Sequence, residues 1–209
     1  MKISPENFIV DEGLCLKYKS FFVSGNDEGY IFSFVEHLVK CFSKKGFVKK
    51  IIINETDTSS DLFKTESKYI YVCEKYIDDA TVCDAENNND IFVFYEKTSP
   101  KNKVVKRFFS SSKERALVEC YELDRAKKKI ILDGFIKKNN LALEKNIYWY
   151  LLDFLENRFS ILSKELEKIL LLNNKDDIDK ITNTINSEAS TDANKFFFKI
   201  HLSGGEITS

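Results

Sequence analysis

The chain of 209 residues holds only two histidines (His37 and His201) and two prolines, and its charges nearly cancel at a net −1. These shortages exclude whole classes of function. The five cysteines (Cys15, Cys41, Cys73, Cys83 and Cys120) form no Cys-x-x-Cys pair, and two imidazoles add little, so no metal site is expected. The odd number and wide spacing suit buried free thiols in a reducing cytosol better than a disulfide framework. With charges in balance, the whole molecule has no electrostatic commitment to nucleic acid, and any basic surface must be local. No apolar run is long enough to span a bilayer. Met1-Lys2-Ile3-Ser4-Pro5 lacks the charged-then-apolar order of a signal peptide. A cytoplasmic protein with no membrane partner is expected.

Catalytic constellations are missing as well. The two histidines fall in separate segments, so no Ser/His/Asp or Cys/His arrangement is expected, and His37 reads as a packed or surface residue. The acidic pairs Asp78-Asp79 and Asp176-Asp177 sit at predicted helix starts, where capping explains them better than a metal does. Spaced carboxylates of the polymerase type have no counterpart.

What is present is an alternation of apolar runs and helical or polar stretches. Phe21-Phe22-Val23, Ile51-Ile52-Ile53, Tyr69-Ile70-Tyr71-Val72, Ile91-Phe92-Val93-Phe94 and Leu117-Val118-Glu119-Cys120 read as strands covered on both faces. Between the first two, Phe32, Phe34, Val35, Leu38, Val39 and Phe42 recur at helical spacing, and Gly46 ends the pattern. The order predicts an α/β layer with a mainly parallel sheet over residues 1–120. A helical region is predicted over 121–187. Asp124 caps a helix that runs through Ala126, Ile130, Ile131 and Phe135 to Asn139-Asn140. Ile147, Tyr150, Leu151, Phe154 and Leu155 form the apolar stripe of a second helix. A third, from Ile161 to Leu172, presents Leu162, Leu166, Ile169 and Leu170, with Lys164, Glu165, Glu167 and Lys168 on its other side. Ile178, Ile181 and Ile185 mark a fourth. Residues 188–209, with Phe196-Phe197-Phe198, read as the start of a further domain.

Ser24-Gly25-Asn26-Asp27-Glu28-Gly29-Tyr30 joins the first strand to the first helix, where a phosphate-binding loop would sit. It lacks the Gly-Lys-Ser/Thr ending that holds phosphate and Mg²⁺. Asp27 and Glu28 would repel a triphosphate. The turn is expected to be a tight strand-to-helix connection with acidic residues at the helix N-terminus, and no cofactor is expected. Basic residues gather from Lys97 to Arg107 (Lys97, Lys101, Lys103, Lys106 and Arg107) and from Arg125 to Lys129. Such runs are usually solvated faces; Lys103, Lys106 and Arg107 are candidate DNA contacts.

In order along the chain, these pieces resemble one family. Gly25-Asn26-Asp27-Glu28 resembles the degenerate loop of the delta subunits of bacterial DNA polymerase III clamp loaders. Asp61-Leu62-Phe63 before a strand resembles their Ser-Leu-Phe before a strand. Cys120-Tyr121-Glu122 resembles the strand end that enters the lid in the alphaproteobacterial branch. Glu156-Asn157-Arg158 through Glu165-Leu166-Glu167-Lys168-Ile169 resembles the family's Gly-Asp-Arg … Glu-Leu-Glu-Lys-Leu stretch. The resemblance implies a RecA-like (AAA+-like) parallel-sheet domain without a functional P-loop, followed by a small helical lid domain. A helical collar would follow, of which 188–209 is the start, in a C-terminally truncated form. It implies a subunit with no catalytic site of its own inside a DNA-polymerising holoenzyme. Leu62 and Phe63 would dock in an apolar pocket of the sliding clamp and favour the open ring, and other clamp-loader subunits and primed DNA would be partners. Without the resemblance, Leu62 and Phe63 read as core packing. An inactive AAA-like scaffold subunit, a DNA-binding module and a nucleotide-dependent enzyme are the competing readings.

Overall fold

A computed structural model describes residues 2–52, 68–97, 103–172 and 181. Among the described residues, six strands make one sheet: β1 (Lys2–Ile3), β2 (Ser20–Gly25), β3 (Val48–Ile52), β4 (Tyr69–Cys73), β5 (Ile91–Glu96) and β6 (Arg115–Cys120), in the spatial order β1-β6-β2-β5-β4-β3. Every pairing is parallel. The helices are α1 (Pro5–Val10), α2 (Glu28–Ser43), α3 (Asp79–Asn87), α4 (Lys103–Ser111), α5 (Arg125–Lys138), α6 (Lys145–Phe154) and α7 (Phe159–Leu170), with a 3-10 helix over Glu12–Lys17. The chain has the expected α/β architecture, a RecA-like parallel sheet flanked by helices.

Strand β2 shows why the apolar runs are continuous. All six of its residues are buried, because a strand in the middle of a parallel sheet has helices on both faces. Successive side chains point to opposite sides. Phe21 meets the rings of Phe8, Tyr18 and Phe42 on one face. Phe22 meets Tyr76 and Phe109 on the other. Edge-to-face geometry dominates these contacts, the arrangement that ring quadrupoles favour. On the Phe22 side, Phe92, Phe94, Val82, Val105 and Leu117 complete a buried cluster.

Local signals set the helix ends. Asp78 accepts hydrogen bonds from the Thr81 N–H (2.7 Å) and hydroxyl (3.1 Å), so it is the cap that the sequence indicated. Asp124 accepts from the Lys127 N–H at 2.9 Å and opens α5. Beyond α2 the backbone turns through Gly46 at φ +86°, a conformation glycine adopts without strain.

Three expectations are corrected. Ile51, read as part of a buried strand, is 63% exposed, because β3 is the last strand in the sheet order. Glu165, placed on the polar face of α7, is buried. The sheet also has a strand that the periodicity did not reveal: Lys2 and Ile3 pair with Leu117 and Val118.

The molecule divides into two compact units, Met1–Ala142 with Glu156–Leu162, and Leu143–Leu155 with Ser163–Ser209. The first holds the sheet and α1–α5. Within it, α5 lies close to the end of α1: a Cβ on Gly134 would come 2.6 Å from Val10 Cγ2. The second unit takes in α6 and most of α7. It buries Ile147, Tyr150, Leu151 and Leu155 from the α6 stripe, Leu166 and Ile169 from α7, and Ile181.

Candidate functional site

In open α/β sheets, ligands bind beyond the carboxyl ends of the strands, where the strand order reverses. Here that place is the end of β2, between β5 and β6. The β2 backbone is pressed against β6: a Cβ on Gly25 would stand 1.8 Å from the Cys120 carbonyl oxygen. The Asp27 N–H donates to that same carbonyl at 3.3 Å. The turn then delivers Asp27 to the N-terminus of α2.

The carboxyl group of Asp27 does two jobs. Oδ1 accepts from the Tyr30 N–H at 3.0 Å and caps α2. Oδ2 accepts from the Phe159 N–H, also at 3.0 Å, at the first residue of α7. Both amides are helix-start donors with no partner inside their own helices, and both helix dipoles favour negative charge there. Phe159 closes the place further, stacking on Tyr30 with centroids 4.2 Å apart. The Tyr30 hydroxyl donates to buried Glu6 at 3.1 Å. Burial, and then the neighbouring Glu6, push the Tyr30 phenol far above its ordinary pKa. Ser160 also crowds the turn: a Cβ on Gly29 would meet its Oγ at 2.5 Å. A phosphate-binding corner offers empty amides to an anion. Here the protein's own carboxyl group uses the Tyr30 and Phe159 amides, and the expected tight strand-to-helix connection is what forms.

Three of the expected basic residues stand in ion pairs. Lys97 pairs with Glu28 at 3.1 Å, Lys106 with Glu119 at 3.3 Å, and Lys129 with Asp133 at 2.8 Å. Lys103 and Arg107 are exposed one turn apart on α4. Leu62, Phe63, Lys101 and the Asp176-Asp177 pair lie outside the described residues.

One grouping was not anticipated. The 3-10 helix and α2 bring Cys15, His37 and Cys41 together, their ligand atoms all within 4.8 Å of one another. This corrects the expectation that no Cys/His arrangement would form. Burial pushes both thiols up and the imidazole down. The His37–Cys41 spacing of four residues on a predicted helix was the available signal. Cys15 lies more than twenty positions away, and its approach depends on a 3-10 helix that no periodicity announced.

No family model and no curated relative matches the chain. Among solved structures, the Bacillus subtilis DNA clamp loader delta protein (YqeN) is similar at a TM-score of 0.53 and 13% identity, over 95% of this chain and 72% of that one. A point variant of Thermotoga maritima RuvB gives a TM-score of 0.47 at 10% identity over 98% of this chain and 76% of that one. Aquifex aeolicus DnaA bound to AMPPCP gives 0.48 at 15% over 97% and 69%. The delta likeness shows a distant AAA+-like fold; the other two are too loose to bear on function. Among the described residues, no helix is long and apolar enough to cross a membrane.

Proposed function

We propose that this chain is a non-catalytic clamp-loader subunit of the delta type, which binds a sliding clamp and favours its open form during DNA replication. The observation that carries this reading is the corner at the end of β2, where the Asp27 carboxyl group caps both α2 and α7. A RecA-like body whose phosphate corner serves internal capping suits a protein that works by docking. The fold likeness to a clamp loader delta protein and the ordered sequence resemblance support the same reading. Residues 121–187 would act as the lid, other loader subunits would hydrolyse the nucleotide, and primed DNA would be reached through the complex. Lys103 and Arg107 are the proposed DNA contacts, with Lys106 beside them.

The mechanism is a population shift. A partner opens a ring only to the extent that it binds the open ring more tightly than the closed one. Leu62 and Phe63 are the proposed anchors, and burying each contributes about 1.5–3 kcal/mol. Replacing both by alanine should therefore weaken clamp binding at least about a hundredfold. Surface plasmon resonance against the cognate clamp checks this. A folded double variant with undiminished affinity removes the assignment.

A further inference from the structure

The Cys15–His37–Cys41 cluster carries an inference that the clamp reading does not use. His37 and Cys41 are four residues apart on α2, so both side chains leave the same side of the helix. Cys15 reaches them from the 3-10 helix over Glu12–Lys17. Cys41 Sγ lies 3.5 Å from His37 Nε2, and all three ligand atoms fall within 4.8 Å of one another.

We propose that Cys15, His37 and Cys41 form a zinc-binding site with three protein ligands and one open coordination position.

Three observations support it. The first is geometric. Zn–S bonds of about 2.3 Å and Zn–N bonds of about 2.0 Å put sulfur and nitrogen about 3.5 Å apart on a tetrahedral edge. The Cys41–His37 distance already has that value. The second is electrostatic. Both cysteines are buried and His37 is half-buried, and a lone cation there would suffer a large desolvation penalty. Two thiolates and a neutral imidazole cancel the charge of Zn²⁺, so the filled site is neutral. The third is ligand type. Sulfur with imidazole selects Zn²⁺ or Cu(I) over the hard, oxygen-seeking Mg²⁺ and Ca²⁺. Glu12 lies nearby but is engaged with Lys44 at 2.7 Å and Lys138 at 3.9 Å.

Binding releases the two thiol protons to solvent. His37 Nε2 stands 3.1 Å from the Phe8 carbonyl oxygen. The ion replaces that hydrogen bond, and the imidazole proton moves to Nδ1 through water.

Cobalt is the probe. Chelator-treated full-length protein, reduced, is titrated with Co²⁺ and then with Zn²⁺. One equivalent of Co²⁺ should produce the intense ligand-field bands of a tetrahedral site and thiolate-to-cobalt charge transfer. Zn²⁺ should abolish both and raise the melting temperature. Cys15→Ser or Cys41→Ser should weaken binding more than about a hundredfold, since loss of an outer-sphere support alone costs about 10–100-fold. Cys83→Ser, outside the cluster, should bind as wild type does. Should the ligand variants fail to fold, wild-type protein in weak buffer gives an independent reading: release of about two protons per Zn²⁺. Wild-type protein with no cobalt spectrum, folded ligand variants that bind undiminished, or Zn²⁺ uptake without proton release each overturns the proposal. None of these readouts involves the clamp, so this inference and the clamp reading stand or fall separately.

Discussion

At the residue scale, two carboxyl groups can be tested directly. Asp27 satisfies two helix-start amides at once. Asp27→Ala removes a cap, which costs about 0.5–2 kcal/mol. It also leaves the buried Phe159 amide without that acceptor, which costs about 1–3 kcal/mol more. Denaturant unfolding should therefore show a loss of about 1.5–5 kcal/mol; a loss below about 0.5 kcal/mol would mean that water replaces the carboxyl group freely. Glu86 is the second. Arg115 reaches it through two nitrogens at 2.9 and 2.8 Å, and the Ser20 hydroxyl donates at 2.9 Å. Burial pushes its pKa up, but those hydrogen bonds and the Arg115 charge outweigh burial and leave it below the ordinary value. A depressed folded pKa contributes stability in full above the unfolded value of about 4.3. The contribution is lost as pH falls through the folded value. Glu86→Gln should flatten the acid limb of a melting-temperature profile below about pH 5 while lowering stability near neutrality. Parallel acid limbs in the two proteins would show that the pair does not titrate on unfolding.

At the scale of elements, Gly134 sets up a test of helix against packing. A mid-helix glycine costs about 1 kcal/mol relative to alanine, so Gly134→Ala ought to stabilise α5. The added Cβ would fall 2.6 Å from Val10 Cγ2, and a β-branched side chain gives way only by changing rotamer. The gain should therefore be small or negative in wild type and return to about 1 kcal/mol in a Val10→Ala background. Equal effects in the two backgrounds would dismiss the contact. The elements themselves were legible to very different degrees. The runs at Phe21, Tyr69, Ile91 and Leu117 declared themselves because doubly covered strands are continuously apolar. Asp78, Asp124 and Gly46 declared helix ends through side-chain chemistry that acts within a few residues. Ile51 misled because an edge strand can be as apolar in sequence as a central one; its neighbours decide its exposure. Strand β1 is two residues long and helix α1 six, too short for any period to show. The absence of a P-loop was legible from the missing lysine. The second acceptor role of Asp27 was not, since its partner lies 132 positions away.

At the scale of the whole molecule, a net charge of −1 leaves DNA affinity to local patches. Helix α4 offers one, with Lys103 and Arg107 exposed. Phosphate contacts release counterions, so each lost contact should reduce the slope of log affinity against log salt by about one. Comparing wild type with a Lys103→Glu/Arg107→Glu variant, by fluorescence anisotropy on primed DNA across a salt series, measures this. Identical slopes would take DNA contact away from α4.

The link between Asp27 and Phe159 also sets a clock for biosynthesis. Chains emerge at about 5–20 residues per second, so roughly 7 to 26 seconds separate the two ends of this bridge on the ribosome. Throughout that interval the nascent β2–α2 turn exposes an acceptor whose distant donor has not yet been made. The first unit can finish closing only once Phe159 has left the exit tunnel, which makes its final locking a late event, set by the pace of translation.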